Sequence, residues 1–142
     1  MLRMTRVSNP GRTVRRRGLA SVELAVVLTT LAFICVATCD YARSVYAVVT
    51  VANCARNGAL YASDTAFAST TPYTSIAQAA QADSGNLGSP GPTVSSTTGT
   101  DSSGNKYVEV TVSYPFQGTI NYPGIPAAFT ISRTVRAAIS PP

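Results

Sequence analysis

Arg15-Arg16-Arg17-Gly18-Leu19-Ala20-Ser21-Val22-Glu23-Leu24 is the stretch on which the reading of this chain turns. Three arginines and a glycine give way abruptly to an apolar run from Leu19 to Cys39, in which Glu23 is the only charged side chain. Six arginines (Arg3, Arg6, Arg12, Arg15, Arg16 and Arg17) precede the junction, and no acidic residue does. The formal charge of +5 therefore divides into +6 through Arg17 and −1 for everything after it. A basic head followed by an apolar span predicts a single membrane crossing, with Arg15, Arg16 and Arg17 as the orienting charges. Residues 1–18 would then be cytoplasmic and residues 40–142 would lie on the far side.

Leu19 to Cys39 is 21 residues, about 31 Å of helix and close to the hydrocarbon thickness of a bilayer. A cleaved secretory signal has an apolar core of only about 7–15 residues and ends in small residues. Thr38-Cys39-Asp40 makes a poor site of that kind. Twin-arginine export would need a shorter span and a cleavage site. Val36-Ala37-Thr38-Cys39 faintly resembles a lipoprotein box, but threonine before the cysteine is wrong for it.

Glu23 is the odd residue of the span, since a carboxylate in hydrocarbon costs on the order of a few kcal/mol. On one reading it lies about a turn inside the interface and reaches water, Arg16 or Arg17. On the other, the chain is cut after Gly18, and the new α-amine of Leu19 lies about 6 Å from Glu23 along the helix axis. The N-terminus of a neighbouring subunit would then neutralise Glu23 and set the register of helix packing. A small residue at the cut, four apolar or small residues, and Glu at the fifth mature position resemble the processing pattern of type IV prepilins.

Residues 1–18 read as a disordered basic leader. It is too short and too poor in aromatics for nucleic acid. After the span, the helix is expected to continue from Asp40 to about Ala62, with Tyr41, Val45, Val48, Ala52, Ala55, Ala59 and Ala62 forming its packing stripe. Arg43, Thr50, Asn53, Arg56 and Asn57 fall off that stripe. Residues 64–105 are rich in Ser, Thr, Gly and Pro. Within them, Thr74 or Ser75 is placed to cap a short helix through Ile76 and Ala80, and Val94 to Thr98 reads as a weak edge strand. Asp101-Ser102-Ser103-Gly104-Asn105 is a turn in front of the clearest strand, Lys106 to Tyr114. In that strand Val108, Val110, Val112 and Tyr114 share one face. A second alternating run sets Phe129, Ile131, Arg133, Val135 and Ala137 against Thr130, Ser132, Thr134 and Arg136. Two or three antiparallel strands are expected to lie on the outer half of the long helix, because a hairpin alone is marginal.

Catalytic chemistry finds little support. The chain has no histidine, the six acids form no paired constellation, and neither a phosphate-binding glycine loop nor a nucleophile elbow occurs. The reading is of a non-enzyme with no catalytic residue, no metal and no cofactor. Cys35 and Cys39 lie inside the predicted span and read as small packing residues. Cys54 lies beyond it, free or available for pairing between chains.

The chain resembles the TadE-like family, the pseudopilins and minor pilins of tight-adherence (Flp-type) pilus systems. The resemblance is carried by Arg17 to Leu24, by the apolar span, by Asp40-Tyr41-Ala42-Arg43 and by Asn53-Cys54-Ala55-Arg56-Asn57-Gly58-Ala59-Leu60-Tyr61-Ala62. In the last stretch Asn53, Arg56, Gly58 and Tyr61 match the family's helix motif. Two positions depart from the family pattern: threonine stands at 29 and 30, where the family usually has a proline, and Asn57 stands where it often has an acid. The resemblance implies a bacterial inner-membrane protein with a periplasmic or extracellular C-terminal domain. A prepilin peptidase would cut it between Gly18 and Leu19, and Glu23 would guide its entry among other pilins, pseudopilins and pilus assembly proteins. Read from the residues themselves, the organisation is a leader over 1–18, a transmembrane helix over 19–39 and its amphipathic continuation over 40–63. A Ser/Thr/Gly/Pro-rich segment over 64–105 and antiparallel strands over 106–142 complete an α+β fold. The competing class is an uncleaved, membrane-anchored binding protein of the cell envelope, with no nucleic-acid partner on either reading.

Overall fold

The structure, a computed structural model, describes residues 17–119, 124 and 126–140. The expectations for residues 1–16, Arg15 and Arg16 among them, lie outside the described residues, as does the side chain of Arg17. Two compact units meet at Ala37 and Thr38. Helix α1, Arg17–Ser63, runs through that boundary and supplies all the described secondary structure of the first unit.

The second unit is α+β. After the outer part of α1 come two short helices, α2 (Thr65–Thr70) and α3 (Ile76–Gln81), then a 3₁₀ turn at Ser84–Asn86. Strands β1 (Thr93–Thr100), β2 (Lys106–Gln117) and β3 (Ala128–Ala138) follow as an antiparallel sheet in the order β1-β2-β3. The edge strand and the two alternating runs expected from sequence are all present, and each is longer than the alternation alone marked.

Local chemistry sets the breaks. Asp64 leaves helical geometry and accepts the amides of Ala66 and Phe67 at 2.8 and 3.2 Å, which ends α1 and starts α2. Ser75 caps α3 by accepting the Gln78 amide, and the Gln78 side chain accepts the amide of Thr74 at 2.8 Å. The first bond satisfies one orphan donor of that helix start, and the second ties the residue before the cap to the helix. Between β1 and β2, Asp101 accepts the amides of Ser103 and Asn105 at 2.9 and 2.8 Å. Gly104 there has φ +85°, the left-handed geometry that favours glycine. These bonds, the Asn105 amide first, hold the Asp101 carboxyl below its ordinary range.

Register follows from the alternation. Val108, Val110 and Val112 of β2 are buried and oppose Thr98, Ser96 and Val94 on β1 and Ala137, Val135 and Arg133 on β3. Phe116 and Phe129 pair at 5.1 Å near the far end. The other face is polar, with hydroxyl pairs Thr111–Thr134 at 2.8 Å and Ser113–Ser132 at 3.0 Å. On this side the Tyr107 ring lies across Gly99, where a Cβ would fall 2.5 Å from its hydroxyl, and Arg136 stacks 3.3 Å from the ring centroid. Glycine there leaves room for the ring.

The core lies between the outer part of α1 and the sheet. Ala47, Val51, Cys54, Ala55 and Ala59 of α1 meet Val108, Val110, Val112, Phe116 and Ile131, with Ala80 of α3 closing one side. Of the expected stripe, Ala55 and Ala59 are buried and Val48 and Ala62 pack against the core, but its first positions are corrected. Tyr41 is 72% and Val45 44% exposed, whereas Asp40, Ala47, Thr50, Val51 and Cys54 are buried. The buried face is centred about one residue, roughly 100° of helix rotation, from the face read in sequence. The helix is apolar on several sides here, so periodicity alone did not choose among them. The sheet packs on the side with the smaller residues, where the helix can approach the β2 valines closely.

Candidate functional site

Two groups of residues singled out in the sequence lie on α1, one in each unit. In the first unit every residue from Gly18 to Val36 is exposed. Among the described residues of that stretch ten are large and apolar, from Leu19 to Val36. Burial of each is worth about 1.5–3 kcal/mol, so on the order of 15–30 kcal/mol favours an apolar surrounding for this face. Such a stretch is unsuited to open water, and the helix is long and apolar enough to cross a membrane. Thr29 and Thr30, at the positions where proline was expected by resemblance, donate their hydroxyls to the carbonyls of Ala25 and Val26 at 2.8 and 2.9 Å. The polar groups of both threonines are thereby satisfied within the helix, as an apolar medium requires.

Gly18 has open space where a Cβ would stand. No packing in the described structure calls for glycine at that position. Glu23 is exposed, one turn from Leu19. It makes no ion pair with another described residue, the only such pair being that of Asp40 with Arg43.

In the second unit Asp40 is 8% exposed and accepts the Thr119 amide with both carboxylate oxygens, at 3.1 and 2.9 Å. Arg43 bonds Asp40 at 3.2 Å and the Thr119 hydroxyl at 2.6 Å, with its guanidinium 5.7 Å from the Phe116 ring centre. The Asp40-Tyr41-Ala42-Arg43 stretch therefore holds the chain just past the end of β2.

The Asn53–Ala62 motif divides into three uses. Cys54, Ala55, Gly58 and Ala59 face the core. Gly58 sits inside the helix rather than ending it, and a Cβ there would meet Ala80 Cβ at 3.0 Å and Val110 Cγ1 at 3.1 Å. Its lack of a side chain is what lets α3 and β2 close on α1. Asn57 and Tyr61 tie down the segment after the helix: the Asn57 amide donates to Asp83 at 2.7 Å, and the Tyr61 hydroxyl donates to the Tyr73 carbonyl at 3.0 Å. An acid at position 57 would repel Asp83, which accounts for asparagine there in this chain. Asn53 and Arg56 remain exposed.

Cys54 is fully buried and unbridged, so pairing between chains through it would require unfolding. Burial, and next the negative charge of Asp83, push its thiol pKa up from the ordinary value. Cys35 and Cys39 are exposed and unbridged. Among the described residues no three His, Cys, Asp or Glu side chains stand together as a metal site would need.

The sequence reading missed the links from Asp40 to Thr119, Asn57 to Asp83 and Tyr61 to Tyr73. It also missed a cleft between α1, α2 and α3 that four of these residues, Asn57, Tyr61, Tyr73 and Asp83, line. Compared with known proteins, residues 18–60 match the family described as TadE-like protein, a span that begins at Gly18 and ends one residue before Tyr61. No curated protein and no solved structure matches the chain.

Proposed function

We propose, from the TadE-like character of residues 18–60, that this protein is a minor pilin or pseudopilin acting in assembly of a tight-adherence (Flp-type) pilus. Its place is the bacterial inner membrane, single-pass, with the N-terminus cytoplasmic and the sheet-bearing unit outside. A prepilin peptidase cuts between Gly18 and Leu19, and the mature chain joins other pilins and pilus assembly proteins. Its part is that of a pilus component, not of an enzyme.

The observation that carries this reading is that the family match begins at the junction of the basic and apolar runs. In the sequence the basic run ends at Arg17 and the apolar run begins at Leu19, and the family match begins at Gly18 between them. No described residue packs where a Cβ of Gly18 would stand, in contrast to Gly58. A demand for a small residue there is met by a peptidase whose active site must approach the backbone. Glu23 supports the same reading: a carboxylate in an apolar helix needs a cation, and a freed α-amine on a neighbouring subunit supplies one at the right depth.

The test is Glu23→Ala in the producing cells. The variant should be made, inserted and cut as the wild type is, yet be absent from the sheared pilus fraction. Normal incorporation of the variant would remove Glu23 from the mechanism. A chain that stays uncut in the wild type would favour the membrane-anchored binding protein instead.

A further inference from the structure

We infer that the cleft between α1, α2 and α3 is an anchor pocket for one lysine or arginine side chain of a partner polypeptide. The cleft holds about 220 Å³, below the roughly 300–1,000 Å³ of small-molecule sites and suited to a single side chain. Its walls include three aromatic rings, those of Tyr61, Phe67 and Tyr73. Leu60 and Phe67 are each about half exposed and give it an apolar lip. Among the described residues Asp83 is the one charged residue of the lining, and none of them that line the cleft is basic. One Asp83 oxygen accepts the Asn57 amide, and no hydrogen bond to the other is made by a described residue.

These features select the occupant. Asp83 is an exposed residue of the lining, so a purely apolar side chain would gain nothing from it, whereas a cation would pair with it. A lysine or arginine brings an apolar stem to match Leu60 and Phe67 and a cation to place beside Asp83, near the aromatic residues of the lining. The half-exposed lip calls for cover by the backbone that presents the side chain, which a free amine would not supply. A cleft that seats one long side chain within a broader contact has the form of an interface anchor. This inference stands on the cleft alone and does not depend on the pilus reading.

The experiment uses the full chain in detergent micelles with three probes: N-acetyl-lysine methylamide, N-acetyl-arginine methylamide and the uncharged N-acetyl-norleucine methylamide. Ring signals of Tyr61, Phe67 and Tyr73 are followed by NMR during titration. The basic probes should shift these signals and saturate in about the millimolar range, with the norleucine probe about tenfold weaker. Asp83→Asn, which can still accept from Asn57, should bring the basic probes down to the norleucine level and leave norleucine unchanged. Ala82→Leu, which fills the cleft while keeping Asp83, should weaken all three. Equal binding of charged and uncharged probes, a preference that survives Asp83→Asn, or no shift with any probe would each overturn the assignment.

Discussion

Replacing Gly58 by alanine sets two effects of known size against each other. Alanine in place of a glycine inside a helix gains about 0.5–1 kcal/mol from backbone entropy. The new methyl would stand 3.0 Å from Ala80 Cβ, 3.1 Å from Val110 Cγ1 and 3.6 Å from Ile76 Cγ2. Ala80 Cβ cannot swing away, because it is fixed to the α3 backbone. Val110 is fully buried on the central strand and has little room to turn. Overpacking of this kind costs about 1–3 kcal/mol, so the variant should lose about 1–2 kcal/mol net. For a unit of this size that is a fall in Tm of about 5–10 °C. All seven tyrosines lie after residue 40, so near-UV circular dichroism of the full chain in micelles reports the sheet-bearing unit without the span. Val110→Ala should be destabilising alone, yet in its background Gly58→Ala should cost less by about 1 kcal/mol, since the tightest movable neighbour is gone. A Gly58→Ala chain as stable as the wild type, or more stable, would mean that α3 and β2 do not close on the helix at this position.

Two further substitutions probe the links to this helix motif and to the sheet. Asn57→Asp places a carboxylate against Asp83, raising the pKa of the pair; the loss, about 1 kcal/mol, should be full near neutral pH and vanish in acid once one of the two is protonated. Thermal unfolding against pH checks this, and a loss that grew in acid would contradict it. Asp101→Ala should loosen the β1–β2 turn and speed hydrogen exchange at Ser103 and Asn105. Because the folded Asp101 carboxyl titrates below its ordinary range, its contribution is full above that range and fades as pH falls through the folded value. The gap between wild type and Asp101→Ala should therefore close in acid, and a gap independent of pH would refute the assignment.

Much of the fold was legible because strand faces obey a strict period of two. Val108, Val110 and Val112 announce a buried face, while Thr111 and Ser113 announce the other. The long helix was legible as an element, with Ala55 and Ala59 on its packing side, but not which side meets the sheet nearer Asp40. Tyr41, Val45 and Val49 compete with Ala47, Val51 and Cys54 for the core, and the small residues win because closeness outweighs apolar area per residue. Helix α2 went unread, being six residues of Thr, Ala, Phe and Ser whose start depends on the Asp64 cap. The bond from Thr119 to Asp40 joins residues 79 apart, a separation at which no local pattern operates. Gly58 and Tyr61 could be singled out by resemblance, but their work, closing α3 and β2 on the helix and holding Tyr73, exists only once the chain has folded. The cleft beside them was invisible for the same reason.

The central claim is that Gly18 marks a cut and Leu19 a new N-terminus. The most direct measurement is N-terminal sequencing together with intact mass of the protein recovered from the membranes of its own cells. Prepilin processing predicts a chain that begins at Leu19, with a mass lower by residues 1–18. A chain that still carries Gly18 and the arginines before it would contradict the claim and leave an uncut anchor.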